Sequence, residues 1–160
     1  MNTDLKLWKT EWKIEKYASE IDFKNGVCFE TNTISGNIGL NEGLQLVGDL
    51  MIGESGTPYN NTNAYIGVGE STTAAAATDT GLLGSTLTYK GMESGYPSRT
   101  DQTITFRSEF GANDANYSWQ EFSLSNSDSN SGVNINRKTS NQGLKVIEQI
   151  WTLNLTITLS

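Results

Sequence analysis

Three carboxylates, Glu109, Asp114 and Glu121, fall on or beside neighbouring segments that read as strands. Two carboxyls about 5–10 Å apart in a sugar-lined cleft are what glycoside hydrolysis requires, one acting as acid and the other as base or nucleophile. Tyr117 and Trp119 lie close by in the chain and could stack on a sugar ring. A carbohydrate-binding or glycan-hydrolysing β-sandwich is therefore one candidate, against the plainer reading of ordinary exterior carboxylates. Other chemistries fall away. The chain has no histidine, which excludes a Ser-His-Asp triad, a Cys-His pair and any His-ligated metal. Cys28 is the single cysteine, so it has no internal disulfide partner and cannot build a thiolate zinc site. No cationic neighbour in sequence would activate it, and it reads as an inert thiol in a half-buried strand, in keeping with a reducing compartment.

Three further segments look like sites until their spacing is checked. Asn126-Ser-Asp128-Ser-Asn130-Ser-Gly132 alternates oxygen ligands. An EF-hand needs its glycine directly after the third ligand and a glutamate six residues on; here Ser131 intervenes and no glutamate follows, so the segment reads as a hairpin loop. Gly67-Val68-Gly69 lacks the third glycine of a dinucleotide fingerprint and the lysine of a P-loop. Asn136-Arg137-Lys138 is an isolated basic pair that reads as a solvated strand end. The expectation is a protein with no catalytic residues, no metal and no cofactor.

Composition points to the elements that would carry these residues. Of 160 residues, 67 are Thr, Ser, Asn or Gly, and only 2 are Pro. Threonine favours strands and the other three favour turns. Charged residues make up 18%, below the roughly 25% of an average soluble domain, and the net charge is −7. An acidic chain is a poor match for a phosphate backbone, so no nucleic-acid partner is expected. No apolar run approaches a membrane span, and the charged start has no signal-peptide core behind it, so no membrane association is expected either.

Along the chain, Trp8, Thr10, Trp12 and Ile14 alternate with Lys9, Glu11, Lys13 and Glu15, the period of a strand with one apolar and one charged face. Two readings stay open: an edge strand covering its own core, or an extended arm that docks on a neighbouring subunit through Trp8, Trp12, Ile14 and Tyr17. Asn25-Gly26 between Ile21-Asp22-Phe23 and Val27-Cys28-Phe29 predicts a hairpin. Asn41–Ile52 predicts one helix, capped by Asn41, closed by Gly53 and buried through Leu40, Leu44, Val47 and Met51. One or two surface helical turns are expected in 71–83. Strands are expected at 63–69, from residue 87, from Ile104 to Phe110, through Trp119 and Phe122, and at Val133–Ile135. The slip in parity between Trp119 and Phe122 predicts a bulge near Gln120-Glu121. Trp151, Leu153, Leu155, Ile157 and Leu159 alternate with Thr152, Asn154, Thr156 and Thr158, which predicts a final strand sewn into a sheet. Together these give a mainly β protein: an antiparallel, jelly-roll-like β-sandwich with one short helix. Residues 1–35 would form the arm and leading hairpin, and 36–160 the sandwich body.

Several stretches carry a resemblance. They are Gly36-Asn-Ile-Gly-Leu-Asn-Glu-Gly43, Asn63-Ala-Tyr-Ile-Gly-Val-Gly-Glu-Ser-Thr-Thr73, Gly95-Tyr-Pro-Ser98, Ile104-Thr-Phe-Arg107, Ala115-Asn-Tyr-Ser-Trp-Gln-Glu121, Asn136-Arg-Lys138 and Trp151-Thr-Leu-Asn-Leu-Thr-Ile-Thr158. As a set they resemble virion proteins of tailed bacteriophages, in particular capsid cement (decoration) proteins and, more distantly, tail-collar and fibre subunits. The resemblance covers about 36–160. It implies a structural role in the virion, assembly in the bacterial host cytoplasm, the major capsid protein and copies of itself as partners (often as a homotrimer), and no catalysis.

Overall fold

The computed structural model describes residues 8–160. Ten strands and two helices follow in the order β1 (Trp8–Tyr17), α1 (Glu20–Lys24), β2 (Glu30–Ser35), β3 (Ile38–Gly39), α2 (Asn41–Ile52), β4 (Tyr65–Gly69), β5 (Leu87–Gly91), β6 (Ser98–Thr100), β7 (Thr103–Phe110), β8 (Ser118–Ser125), β9 (Asn136–Leu144) and β10 (Ile150–Leu159). They form two antiparallel five-stranded sheets, β2-β1-β10-β7-β6 and β3-β9-β8-β4-β5. The β-sandwich expected from composition and periodicity is the fold observed.

One core fills the space between the sheets, because β1, β4, β7, β8 and β10 turn their apolar parity inward. β1 supplies Trp12 and Ile14, β7 Phe106 and Phe110, and β10 Trp151, Leu153, Leu155 and Ile157, opposite Ile66, Val68, Trp119, Phe122 and Leu124 of β4 and β8. Aromatic rings bridge the sheets: Trp119 meets Phe110 and Trp151 edge to face, each at 4.8 Å, and Trp12 lies tilted 5.8 Å from Phe122.

The extended N-terminal arm is corrected. From Trp8 onward it is a strand inside its own sheet, paired with β10 along its whole length and with β2 from Glu11 to Lys16. It is not an edge strand either, since β2 covers its far side. Residues 1–7 of the expected arm lie outside the described residues. The hairpin at Asn25-Gly26 is likewise replaced. Ser19 caps α1 by accepting from the Asp22 N–H at 3.2 Å, with Glu20 and Asp22 in the first turn and Lys24 in the last. Those are helix signals, and they outweigh the Asn-Gly pair, which closes the helix instead of a hairpin. Cys28 then sits exposed in the loop before β2 rather than in a strand.

Helix α2 has the expected span and ends at Gly53 in the left-handed region, but its first residue follows an N-cap at Leu40 that makes no side-chain bond. Its buried face is also different. Gly43 lies on the backbone of 134–135, where a Cβ would come within 2.3 Å of Ile135 Cα, and Gly43 and Leu46 are its buried residues. That contact rotates the helix so that Leu44 and Met51 of the expected inner stripe are exposed. Segment 71–83 holds no helical turn, and Val133–Ile135 contributes only the Asn134 bridge to Ser125. The parity slip in β8 is observed: register shifts between Trp119 and Glu121, and β9 holds the extra residues.

Candidate functional site

The fold does not bring Glu109 and Glu121 together. Glu109 belongs to β7 and faces outward opposite the core parity of Phe106 and Phe110, whereas Glu121 faces outward from β8 in the other sheet. They lie on opposite faces of the sandwich. Burial, reinforced by Glu93, raises the Glu109 carboxyl above its usual range. Asp114 pairs with Lys90 at 2.7 Å and accepts from the Gly111 N–H at 2.9 Å; burial opposes its ionisation, and these partners more than offset it, holding the group low. The aromatic platform is also missing. Trp119 is fully buried with its indole N–H on Ala115 O, and the Tyr117 hydroxyl donates to Val68 O at 3.0 Å.

Glu121 is instead the centre of a buried ionic cluster. Its Oε1 accepts from the backbone N–H groups of Ser71 and Gly84, and its Oε2 from Leu83 N–H and from Arg137 Nε at 2.8 Å. Arg137 reaches on to Asp79 at 3.0 Å and Thr73 O at 2.9 Å. Both Glu121 and Arg137 are 0% exposed. The expected solvated strand end at Arg137 is thus a clamp that holds 71–84 over the outer face of its sheet. The same clamp explains Gly67-Val68-Gly69: a Cβ at Gly69 would lie 2.4 Å from Glu121 Oε1, and one at Gly67 2.4 Å from the Tyr89 ring. These glycines admit side chains, not phosphates. The 126–132 loop is engaged in the same way, with Asn130 bonding both the N–H and the carbonyl of Leu82. Among the described residues no three His, Cys, Asp or Glu side chains group to hold a metal ion.

The four residues expected at an interface are separated by the fold. Trp12 and Ile14 are 0% exposed in the protein's own core. Tyr17 is buried on the other face of β1, where Phe23 of α1 packs on its ring edge at 5.1 Å. An interface role for these three is corrected, because each is already covered intramolecularly. Trp8 alone is half-buried at a surface.

That surface is an apolar groove of about 1690 Å³ at the end of the sandwich where β1 begins and β10 ends. Trp8 and Leu159, register partners, form one wall, and Leu44, Val47 and Met51 of α2 form the other. Met51 is 82% exposed. At the opposite end of the same strand pair, where Tyr17 meets Ile150, further large apolar side chains are exposed. Ile21 of α1 with Val27 and Phe29 of the loop before β2 lie on one segment, and Leu144 at the end of β9 with Val146 and Ile147 beyond it on another, Ile147 being 64% exposed. Nearby, Lys16 ties β1 to the start of β2 and the end of β9: its ammonium donates to Gln142 O at 2.6 Å, pairs with Glu30 and lies 4.4 Å from the Trp151 ring.

Lys145 anchors the second of these segments, donating to Gly111 O at 2.7 Å and Asn116 Oδ1 at 3.0 Å. Burial pushes its ammonium down to about 8, with Asp114 pulling the other way. Its folded pKa is below its unfolded one, so the charged form costs stability below about pH 8 and the cost is relieved as pH rises towards the ordinary lysine range. Lys145→Met removes that cost. The melting temperature of the variant relative to the native protein is therefore expected to be higher at about pH 7 than at about pH 10. A difference that is constant or grows with pH, in paired thermal melts, would contradict the assignment.

Comparison of the sequence with protein-family models, curated proteins and solved structures finds no match.

Proposed function

We propose that the protein is a cement protein of a tailed-bacteriophage head, which binds the outside of the major capsid lattice and stabilises it without catalysing a reaction. The observation that carries this reading is where the side chains are spent. Glu121, Arg137, Asp114 and Lys145 are bonded within the fold, while large apolar side chains are exposed at both ends of the sandwich. Exposed apolar patches of this extent mark surfaces that meet other macromolecules. The motif set in 36–160 that resembles decoration proteins supports the same assignment.

A protein that binds only the assembled lattice shifts the assembly equilibrium by mass action. Heads stripped of the protein are expected to release their genome at lower temperature than decorated heads, and adding the purified protein back is expected to restore their resistance. Its copy number in virions is expected to scale with the major capsid protein. Equal heat resistance of stripped and decorated heads would remove the stabilising role, and a handful of copies confined to the tail would replace it by a tail-collar or fibre subunit.

A further inference from the structure

We propose that Lys145 and Asn116 close an intramolecular isopeptide bond, in which the lysine amine displaces the side-chain amide nitrogen of the asparagine as ammonia. The site lies where the turn after β7 meets the segment that follows β9. Lys145 Nζ donates to Asn116 Oδ1 at 3.0 Å and to Gly111 O at 2.7 Å, and Lys145 is 0% exposed.

What sets this lysine apart is the chemistry of its partners. Among the described residues three cationic side chains are buried: Lys16, Arg137 and Lys145. Lys16 pairs with Glu30, and Arg137 with Glu121 and Asp79. Lys145 is held by two neutral carbonyl oxygens instead. A buried ammonium without a counter-ion in contact favours its neutral form, and the neutral amine is the nucleophile. The electrophile is the amide it already touches. Asn116 Nδ2 donates to Ala112 O at 2.9 Å, which holds the leaving nitrogen while Oδ1 faces the amine. Asn116 is exposed on its outer side, so ammonia has a path into water. Asp114 is the third group. It accepts from the Gly111 N–H at 2.9 Å while Lys145 holds the carbonyl of the same residue, which keeps carboxylate and amine on one turn. Lys90, at 2.7 Å from Asp114, and Glu109 are the other charged groups around it.

The step balances without a co-reactant. The Nζ lone pair adds to Cγ and the Nζ–Cγ bond forms. The Cγ–Nδ2 bond breaks with its electron pair on nitrogen, and one Nζ proton passes to Nδ2, relayed by the Asp114 carboxylate. The products are a secondary amide and ammonia, and nothing is oxidised or reduced. Holding amine and amide in contact gives them an effective concentration far above any reached in solution. The bond joins residues 29 apart and ties the β7–β8 connection to the β9–β10 connection, both of which cross between the two sheets. A covalent loop of this kind constrains the unfolded chain and so stabilises the folded one.

Intact mass of the full-length protein tests this. The chain folds with the free amine, whose titration is the one the Lys145→Met melts read, so those melts are run on chains of full mass. On incubation the native chain is expected to become lighter by one ammonia. The loss is expected to be faster at about pH 9 than at about pH 6, because the share of neutral amine grows as pH rises past about 8. A tryptic digest is then expected to hold one branched peptide that joins 108–137 to 139–160 and is uncleaved after Lys145. Lys145→Met and Asn116→Ala are both expected to retain the ammonia. Asn116 is exposed, so its variant is expected to fold, and the closed native protein is expected to melt above it. Native protein that keeps its full mass at about pH 9 would overturn the proposal. So would an ammonia loss that persists in Asn116→Ala, which would place it elsewhere in the chain, or hydrolysis of Asn116 to Asp, in which water and not Lys145 takes the amide. Asp114→Asn is expected to slow closure, and an unchanged rate would remove the relay. None of these outcomes depends on binding to a capsid, so the cement reading stands or falls separately on the stripped-head measurement.

Discussion

A chain that begins at residue 18 is expected to give a disordered far-UV spectrum and no cooperative melt. The loss is of a strand hydrogen-bonded on both sides, to β10 and to β2, and of two side chains that are 0% exposed, Trp12 and Ile14. Truncating a buried Trp or Ile to Ala costs roughly 3–5 and 2–5 kcal/mol respectively, against a total stability of about 5–15 kcal/mol. Deleting the strand also exposes the full length of β10 as an apolar edge, which favours aggregation. Trp12→Ala in the intact chain is expected to lower the melting temperature by about 10 °C. Trp12→Phe is expected to be milder, because the Trp12 indole N–H is buried without a partner and its removal relieves roughly 1–3 kcal/mol. A truncated chain with a sheet spectrum and a sharp transition would place β1 outside the cooperative core.

Glu121→Ala is expected to cost about 3–5 kcal/mol. It removes the acceptor for three backbone N–H groups, those of Ser71, Leu83 and Gly84, and leaves Arg137 buried with one carboxylate partner fewer. Arg137→Met is expected to be destabilising as well, because it leaves the buried Glu121 carboxylate with backbone N–H donors but no counter-charge and removes the partner of Asp79. The double variant Glu121→Ala/Arg137→Met is expected to cost clearly less than the sum, because the buried Glu121–Arg137 pair is then removed together. Urea melts of the four proteins measure the coupling. Strictly additive costs, or a Glu121→Ala effect below about 1 kcal/mol, would show that the cluster is not the clamp described. Limited proteolysis within 71–84 offers a second readout, since the single variants are expected to open that segment before the global transition.

Much of the architecture was legible because its signals are local. The period of two in residues 8–14 and 151–159 specifies strands with a buried face, and the Trp119–Phe122 parity slip marks a register shift that the β8–β9 pair contains. The surface sites were not legible. Leu44, Val47 and Met51 form a regular stripe that reads as a core face, yet Gly43 packs the helix on the neighbouring backbone, which leaves Val47 partly buried and Leu44 and Met51 exposed. A glycine inside a helix reads as a weakness in sequence; here it is the contact. Glu121 and Arg137 lie 16 residues apart and read as ordinary strand charges, because burial of an ion pair depends on the loop that covers it. The available hint was the pair Gly67 and Gly69, whose missing side chains leave room for Tyr89 and Glu121.

The sequence by itself determined the fold class, the parity of the main strands, the span of α2 and the lack of histidine chemistry, since each follows from residue type or from spacing within one element. Only the tertiary structure decided what the N-terminal strand pairs with and which apolar residues remain uncovered. A side chain's exposure is set by residues distant in the chain that happen to pack on it. The alternation in residues 8–14 has the same appearance whether its partner is β10 or another subunit, and only the long-range pairing of Trp8 with Leu159 and of Tyr17 with Ile150 settles it.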